Sequence, residues 1–140
     1  MTVRNILSAG VVPYCKSKDG VRLLILRSFN YWDFPKGEVD FEENPFKAAV
    51  RELKEETGLI NAEFTFGHDF YETEPYGKGK VARYYIGKID GMPEIEMPIS
   101  EELGEPEHHE YRWATPDECG YLFGPRLVRV LTWALEKING

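Results

Sequence analysis

"GEVDFEENPFKAAVRELKEETGL", residues 37 to 59, carries the pattern from which the rest of the chain is read. Asn44 suits a helix N-cap, Pro45 the first helical position and Gly58 the stop, so a helix is predicted between them. Successive helical residues turn by about 100°, which places Glu52, Glu55 and Glu56 within one arc of roughly 100°. Phe46, Ala49, Val50 and Leu53 form the neighbouring apolar face. Four residues beyond the three glutamates stand Glu56, Leu59 and Ile60, so no i,i+4 ion pair is expected to relieve them. Like charges at this spacing each cost a few tenths of a kcal/mol, and the helix dipole disfavours anions near a C-terminus.

Two readings compete for such a cluster. One is a solvated acidic face. The other is a set of hard oxygen ligands converging on Mg²⁺ or Mn²⁺, which keep water and substrate phosphate in their remaining positions. The flanking sequence favours the second. "WDFPKG" brings backbone carbonyls, Gly37's included, toward the helix, and Glu43 at the helix start is placed to pair with Arg51.

Outward from this segment, "LSAGVVPYC" and "VRLLILRS" read as branched, apolar strands joined at Asp19-Gly20, a hairpin signal. "AEFTFGHDFYET", "KVARYYIGKI" and "HEYRWAT" read as further strands. "TPDE", Thr115 to Glu118, is a capping box before a short helix, and a last helix from about Pro125 carries Leu127, Leu131, Ala134, Leu135 and Ile138 as one stripe. The order predicts an α+β protein with a mixed sheet between helices. At 140 residues, with 42% hydrophobic and 14% aromatic content, one domain over 1–140 is expected. The start resembles no secretory signal, and no apolar run approaches the roughly 18 residues of a membrane span. Cys15 and Cys119 read as reduced thiols of a cytoplasmic protein. A net charge of −7 argues against duplex nucleic acid as a partner, though not against a phosphorylated substrate reached through divalent cations.

Gly37, Glu43 and "RELKEETGL" fit the Nudix box, G-x5-E-x7-R-E-U-x-E-E-x-G-U, with Leu53 and Leu59 at the U positions. The chain therefore resembles the Nudix hydrolases, and "LSAGVV" resembles their first core strand. The resemblance implies an α/β/α sandwich and Mg²⁺-dependent (or Mn²⁺-dependent) hydrolysis of a phosphoanhydride. It implies metal ligation by Gly37, Glu52, Glu55 and Glu56, with Arg51 and Glu43 supporting them and Glu55 the nominee for general base. "YWDFPKG" and "EHHEYRWAT" are similar to stretches of the asymmetrical diadenosine tetraphosphate hydrolases. On that similarity Glu107 joins the metal site and Tyr84 contacts nucleotide. Lys36 is then a phosphate contact, Lys80 reaches a distal phosphate, and Phe123 or Tyr121 offers the second side of an adenine stack. "VDFEEN" departs from the usual Pro-Gly before the box glutamate.

Bland alternatives stand beside these. Lys36 could be a surface lysine, and Trp32, Trp113 and His68 packing residues. Neighbouring Tyr84 and Tyr85 face opposite sides of a strand, so one of them points into the core. His108 and His109 lack the spaced partners of a zinc site. Removal of pyrophosphate from an RNA 5′ end, pyrophosphatase action on nucleoside triphosphates, and a non-catalytic nucleotide-binding module are the rival functions. A monomer or a homodimer fits equally well.

Overall fold

The computed structural model describes residues 6–97, 104 and 108–140. Strand β1 (Ile6–Ser17) and β2 (Gly20–Ser28) form the expected hairpin, with Ser17 opposite Gly20 at its closed end. Gly20 adopts a φ of +111°, which admits glycine and few other residues. Beyond this end the two strands part. Between them enter β3 (Tyr31–Asp33), antiparallel to β2, and β4 (Lys36–Glu38), antiparallel to β1. The sequence alone suggests a loop here because Pro35 interrupts the stretch, and each strand is only three residues long. Gly10 makes the insertion possible, since a Cβ there would collide with the Pro35 carbonyl and the Lys36 side chain.

On its other side β1 runs parallel to β6 (Lys80–Lys88), paired from Ile6↔Lys80 to Tyr14↔Lys88. Strand β5 (Phe70–Glu72) borders β6, and β7 (Glu110–Ala114) pairs with β2 over Leu23–Arg27. The sheet is mixed, as expected. The longer strand read in "AEFTFGHDFYET" shrinks to β5 and a single bridge between Glu63 and Lys88, because a turn with Gly67 at φ +61° intervenes.

Among the described residues three helices cover the sheet: α1 (Pro45–Thr57), α2 (Pro116–Leu122) and α3 (Pro125–Asn139). Asn44 caps α1 by accepting from the Phe46 and Lys47 amides, and Gly58 closes it in the left-handed conformation at φ 78°. Thr115 and Glu118 form the capping box of α2. Side-chain alternation sends Val12, Tyr14, Ile86 and Tyr84 to the face covered by Leu127, Val130, Leu131 and Ala134 of α3. Ala9, Val11 and Tyr85 go to the face covered by Ala48, Ala49 and Leu53 of α1. With both faces buried, the central strands need apolar residues at successive positions, which explains the unbroken run in "LSAGVVPYC". On α1 the apolar face is rotated from expectation: Ala48 is buried, whereas Val50 is 38% exposed.

Candidate active site

The box segment folds back on itself around Arg51. Its guanidinium donates from Nε and Nη2 to Glu43 at 2.9 and 3.0 Å, and from Nη1 to Glu52 at 2.9 Å and Glu55 at 3.0 Å. A further bond from Nη2 reaches the Glu38 carbonyl at 3.1 Å. An arginine has five N–H donors, and these five bonds use all of them. The expectation of no i,i+4 ion pair is thus corrected. Arg51 lies four residues before Glu55, so the compensating cation stands on the N-terminal side of the cluster. Its pKa is raised, first by the hydrogen bonds with Glu43, and Glu43 is correspondingly held down at about 2 by Arg51 and by the Asp40 amide.

The three glutamates occupy different depths. Glu55 is 54% exposed at its side chain, Glu52 13%, and Glu56 8%. Glu56 accepts from the Lys36 amide at 3.0 Å, and His108 Nε2 lies 3.3 Å from its other oxygen. Gly37 packs directly on Glu52, since a Cβ at position 37 would fall on the Glu52 carboxylate. Helix α1, the start of β4 and the segment before β7 therefore meet at two carboxylates.

The donor set is all oxygen, hard and anionic, and the bare Gly37 backbone forms a cradle that a side chain would fill; both fit a hard divalent cation. Among the described residues, no three such side chains are already gathered as ligands, and Arg51 holds one oxygen each of Glu52 and Glu55. Glu107, the remaining ligand expected from the sequence, lies outside the described residues.

Next to the carboxylates lies a second cluster, which joins Lys36 and Tyr84, both expected from the sequence, to Asp33 and Arg126, which are not. Asp33 accepts from the Phe34 amide at 2.7 Å and from the Tyr84 hydroxyl at 2.9 Å. Its Oδ2 stands 3.6 Å from Lys36 Nζ and 3.5 Å from Arg126 Nη2. Burial lowers the Lys36 pKa, but Asp33, Tyr76 and Glu56 outweigh it, and the net shift is upward. Lys36 therefore stays charged at neutral pH. Asp33 and Arg126 are 93 positions apart in a chain of 140 residues; Asp33 lies within "YWDFPKG", but nothing in the sequence links it to Arg126.

Tyr84 is corrected as a base platform. Its ring is 0% exposed because α3 covers that face of β6, and burial followed by Asp33 raises its pKa well above the ordinary tyrosine value. Tyr85 is buried on the opposite face, so the choice between the two tyrosines has no solvent side. Phe123 is also buried, edge-on to Phe34, whereas Tyr121 is 90% exposed. Lys80 is exposed at the start of β6, after a turn in which Tyr76 and Lys80 exchange both backbone hydrogen bonds. His68 stacks on Phe46 with ring centroids 4.0 Å apart, a packing role.

A model of the NUDIX domain matches residues 4–133. The chain belongs to the Nudix family. It is 30% identical over 118 residues to a bis(5′-nucleosyl)-tetraphosphatase [asymmetrical] of Caenorhabditis elegans, covering 80% of each chain. The Mus musculus protein of the same description is 30% identical over 105 residues, 71% of this chain and 67% of that one. An RNA pyrophosphohydrolase of a Nitratiruptor species is 34% identical over 93 residues, 59% of this chain and 57% of that one. Among solved structures, a C. elegans Ap4A hydrolase binary complex superposes with a TM-score of 0.78 over 96% of this chain and 98% of that one, at 23% identity. That likeness establishes the fold, and the family match together with the similarity to hydrolases of that family establishes a Nudix hydrolase.

Proposed function

We propose that this Nudix hydrolase cleaves diadenosine tetraphosphate asymmetrically, to ATP and AMP, with Mg²⁺ as cofactor and Mn²⁺ as a substitute. One observation carries the reading. Two stretches similar to those hydrolases, "WDFPKG" and "EHHEYRW", converge with the Nudix box helix on the Glu56 carboxylate through the Lys36 amide and His108. The similarity to proteins of that description over 80% of both chains supports the same substrate.

Glu52, Glu55, Glu56, the Gly37 carbonyl and Glu107 would hold the ion. When bound, it supplies neutralisation of phosphate charge and acidification of water. The protein's own residues do the rest. Arg51 fixes the direction of Glu43, Glu52 and Glu55 with its full set of donors. Lys36, charged and held by Asp33, meets a phosphate next to the carboxylates. Lys80 extends the cationic reach to a distal phosphate. Glu55, the most exposed of the three glutamates, receives the proton of the attacking water. Fixing the phosphates in one register selects a single phosphorus for attack.

The test is a panel of diadenosine tetraphosphate, nucleoside triphosphates and 5′-triphosphorylated RNA, each with Mg²⁺ or Mn²⁺. The highest kcat/KM is expected on the dinucleotide. A net charge of −7 does not favour RNA as the substrate, and a strong preference for RNA would overturn the substrate reading.

A further inference from the structure

Arg126 and Arg51 are both partly buried guanidiniums, yet they spend their donors differently. Arg51 uses all five, whereas among the described residues Arg126 makes one hydrogen bond, a long one of 3.3 Å from Nη1 to the Tyr84 hydroxyl. Its other contacts consume no well-formed donor bond. Nη2 lies 3.5 Å from Asp33 Oδ2, and the guanidinium carbon sits 4.0 Å over the Tyr76 ring. The side chain is 28% exposed and forms the shared wall of two depressions. One, of about 270 Å³, runs between Asn30–Asp33 and Leu122–Leu127; the other, of about 90 Å³, lies between Tyr76, Arg126 and Arg129.

Such a guanidinium is fixed in place and still has donors to give. Stacking on a ring and pairing with a carboxylate restrict its orientation, so little side-chain entropy remains to be lost on binding an acceptor. Its planar fork matches two oxygens of a phosphate. Lys36 and Arg126 approach the same oxygen of Asp33, at 3.6 and 3.5 Å, close enough for neighbouring phosphates of one chain to meet both. Two cations share the Asp33 carboxylate here, and Glu56 also faces Lys36, so Arg126 is the cation of the pair with donors left for an anionic ligand.

We propose that Arg126 is a second phosphate contact beyond Lys36, and that Asp33 positions the pair so that the site favours longer phosphate chains over diphosphates. This rests on the reading of Lys36 as a phosphate contact and is testable apart from the nature of the nucleoside. A two-phosphate substrate reaches Lys36 beside the carboxylates and gains nothing from Arg126. A three- or four-phosphate chain extends past Asp33 to it.

The experiment compares wild type, Arg126→Gln and Arg126→Lys. Steady-state kinetics are measured on diadenosine tetraphosphate and diadenosine diphosphate, and inorganic tripolyphosphate binding is followed by calorimetry. Arg126→Gln is expected to raise KM for the tetraphosphate by about tenfold to a hundredfold, the range of one charge-assisted contact, with kcat within about threefold. Tripolyphosphate affinity should fall by a similar factor, while KM for the diphosphate stays level. Arg126→Lys should recover part of the loss, since it restores the charge without the fork. If Arg126→Gln does not fold, Arg126→Lys carries the test alone, with several-fold weaker tripolyphosphate binding at unchanged thermal stability. Unaltered tripolyphosphate binding in a folded variant would overturn the proposal. So would equal loss on both dinucleotides, which marks a purely structural role. Should the dinucleotides prove not to be substrates, tripolyphosphate binding still decides for or against Arg126.

Discussion

Substituting Gly37 by alanine places a Cβ on the Glu52 carboxylate, whose Cδ and both oxygens are its nearest neighbours. Position 37 does not have a positive φ, so alanine strains no backbone there. The clash falls on the far end of a side chain that can swing away, at the cost of its 2.9 Å bond from Arg51. One partly exposed bond of this kind bounds the loss of stability at about 1 kcal/mol. The catalytic consequence is far larger, because displacing a catalytic group by about 1 Å costs on the order of 10²-fold in rate. Gly10→Ala supplies the contrast. Its Cβ meets the Pro35 carbonyl and the Lys36 side chain where β4 enters the sheet, and backbone cannot swing aside. About 1–3 kcal/mol of destabilisation is expected there. Urea denaturation and steady-state kinetics on both variants check the pair. Gly37→Ala with undiminished activity, or with as large a stability loss as Gly10→Ala, would refute the packing of Gly37 on Glu52 as part of the catalytic arrangement.

Glu55→Gln and Glu56→Gln should each lower turnover by at least about 10²-fold, as measured under saturating substrate and Mg²⁺. Relief of like-charge crowding would favour the folded state, but Arg51 already compensates Glu55, and buried Glu56 loses its charge beside His108. Thermal melts should therefore show no gain, with the larger loss in Glu56→Gln. Glu43, held at a pKa of about 2 against an ordinary 4.5, stabilises the fold fully above pH 4.5 and loses that contribution as pH falls toward 2. Glu43→Gln should consequently flatten the fall of the urea midpoint across that window, and an unchanged slope would contradict the Glu43–Arg51 pair. Tyr84→Ala should cost roughly 3–5 kcal/mol, as truncation of a fully buried aromatic does, which calorimetric melting would register; a stability change under about 1 kcal/mol would mean that the ring is not in the core.

The sandwich was legible because its signals are local. Asn44, Pro45 and Gly58 delimit α1 to the residue, and the capping box at Thr115 starts α2 where expected. The acidic cluster was legible for the same reason, since helical spacing alone places three carboxylates on one face. Its compensation is harder to see, because the cation, Arg51, stands on the N-terminal side of the cluster and reaches Glu43 across a loop as well as Glu52 and Glu55. Strands β3 and β4 escaped notice because three-residue strands carry no periodicity, and their pairing depends on the space left beside Gly10. Tyr84 is suggested by similarity alone, and strand alternation leaves open which of Tyr84 and Tyr85 is buried; the docking of α3 on one face and α1 on the other buries both. The cluster of Asp33, Lys36, Tyr84 and Arg126 is tertiary throughout, joining β3, β4, β6 and α3. No spacing rule in one sequence brings those four together.

On the proposed function, the carboxylates of α1 and the cations beside them fix a tetraphosphate in one register, so that water meets one chosen phosphorus. Diadenosine tetraphosphate hydrolysed with Mg²⁺ in ¹⁸O-labelled water, with products separated by chromatography and weighed by mass spectrometry, tests it most directly. Equal amounts of ATP and AMP are expected, with the label confined to AMP if attack falls on the phosphorus beside one adenosine. Two molecules of ADP, or label scattered over both products, would contradict it.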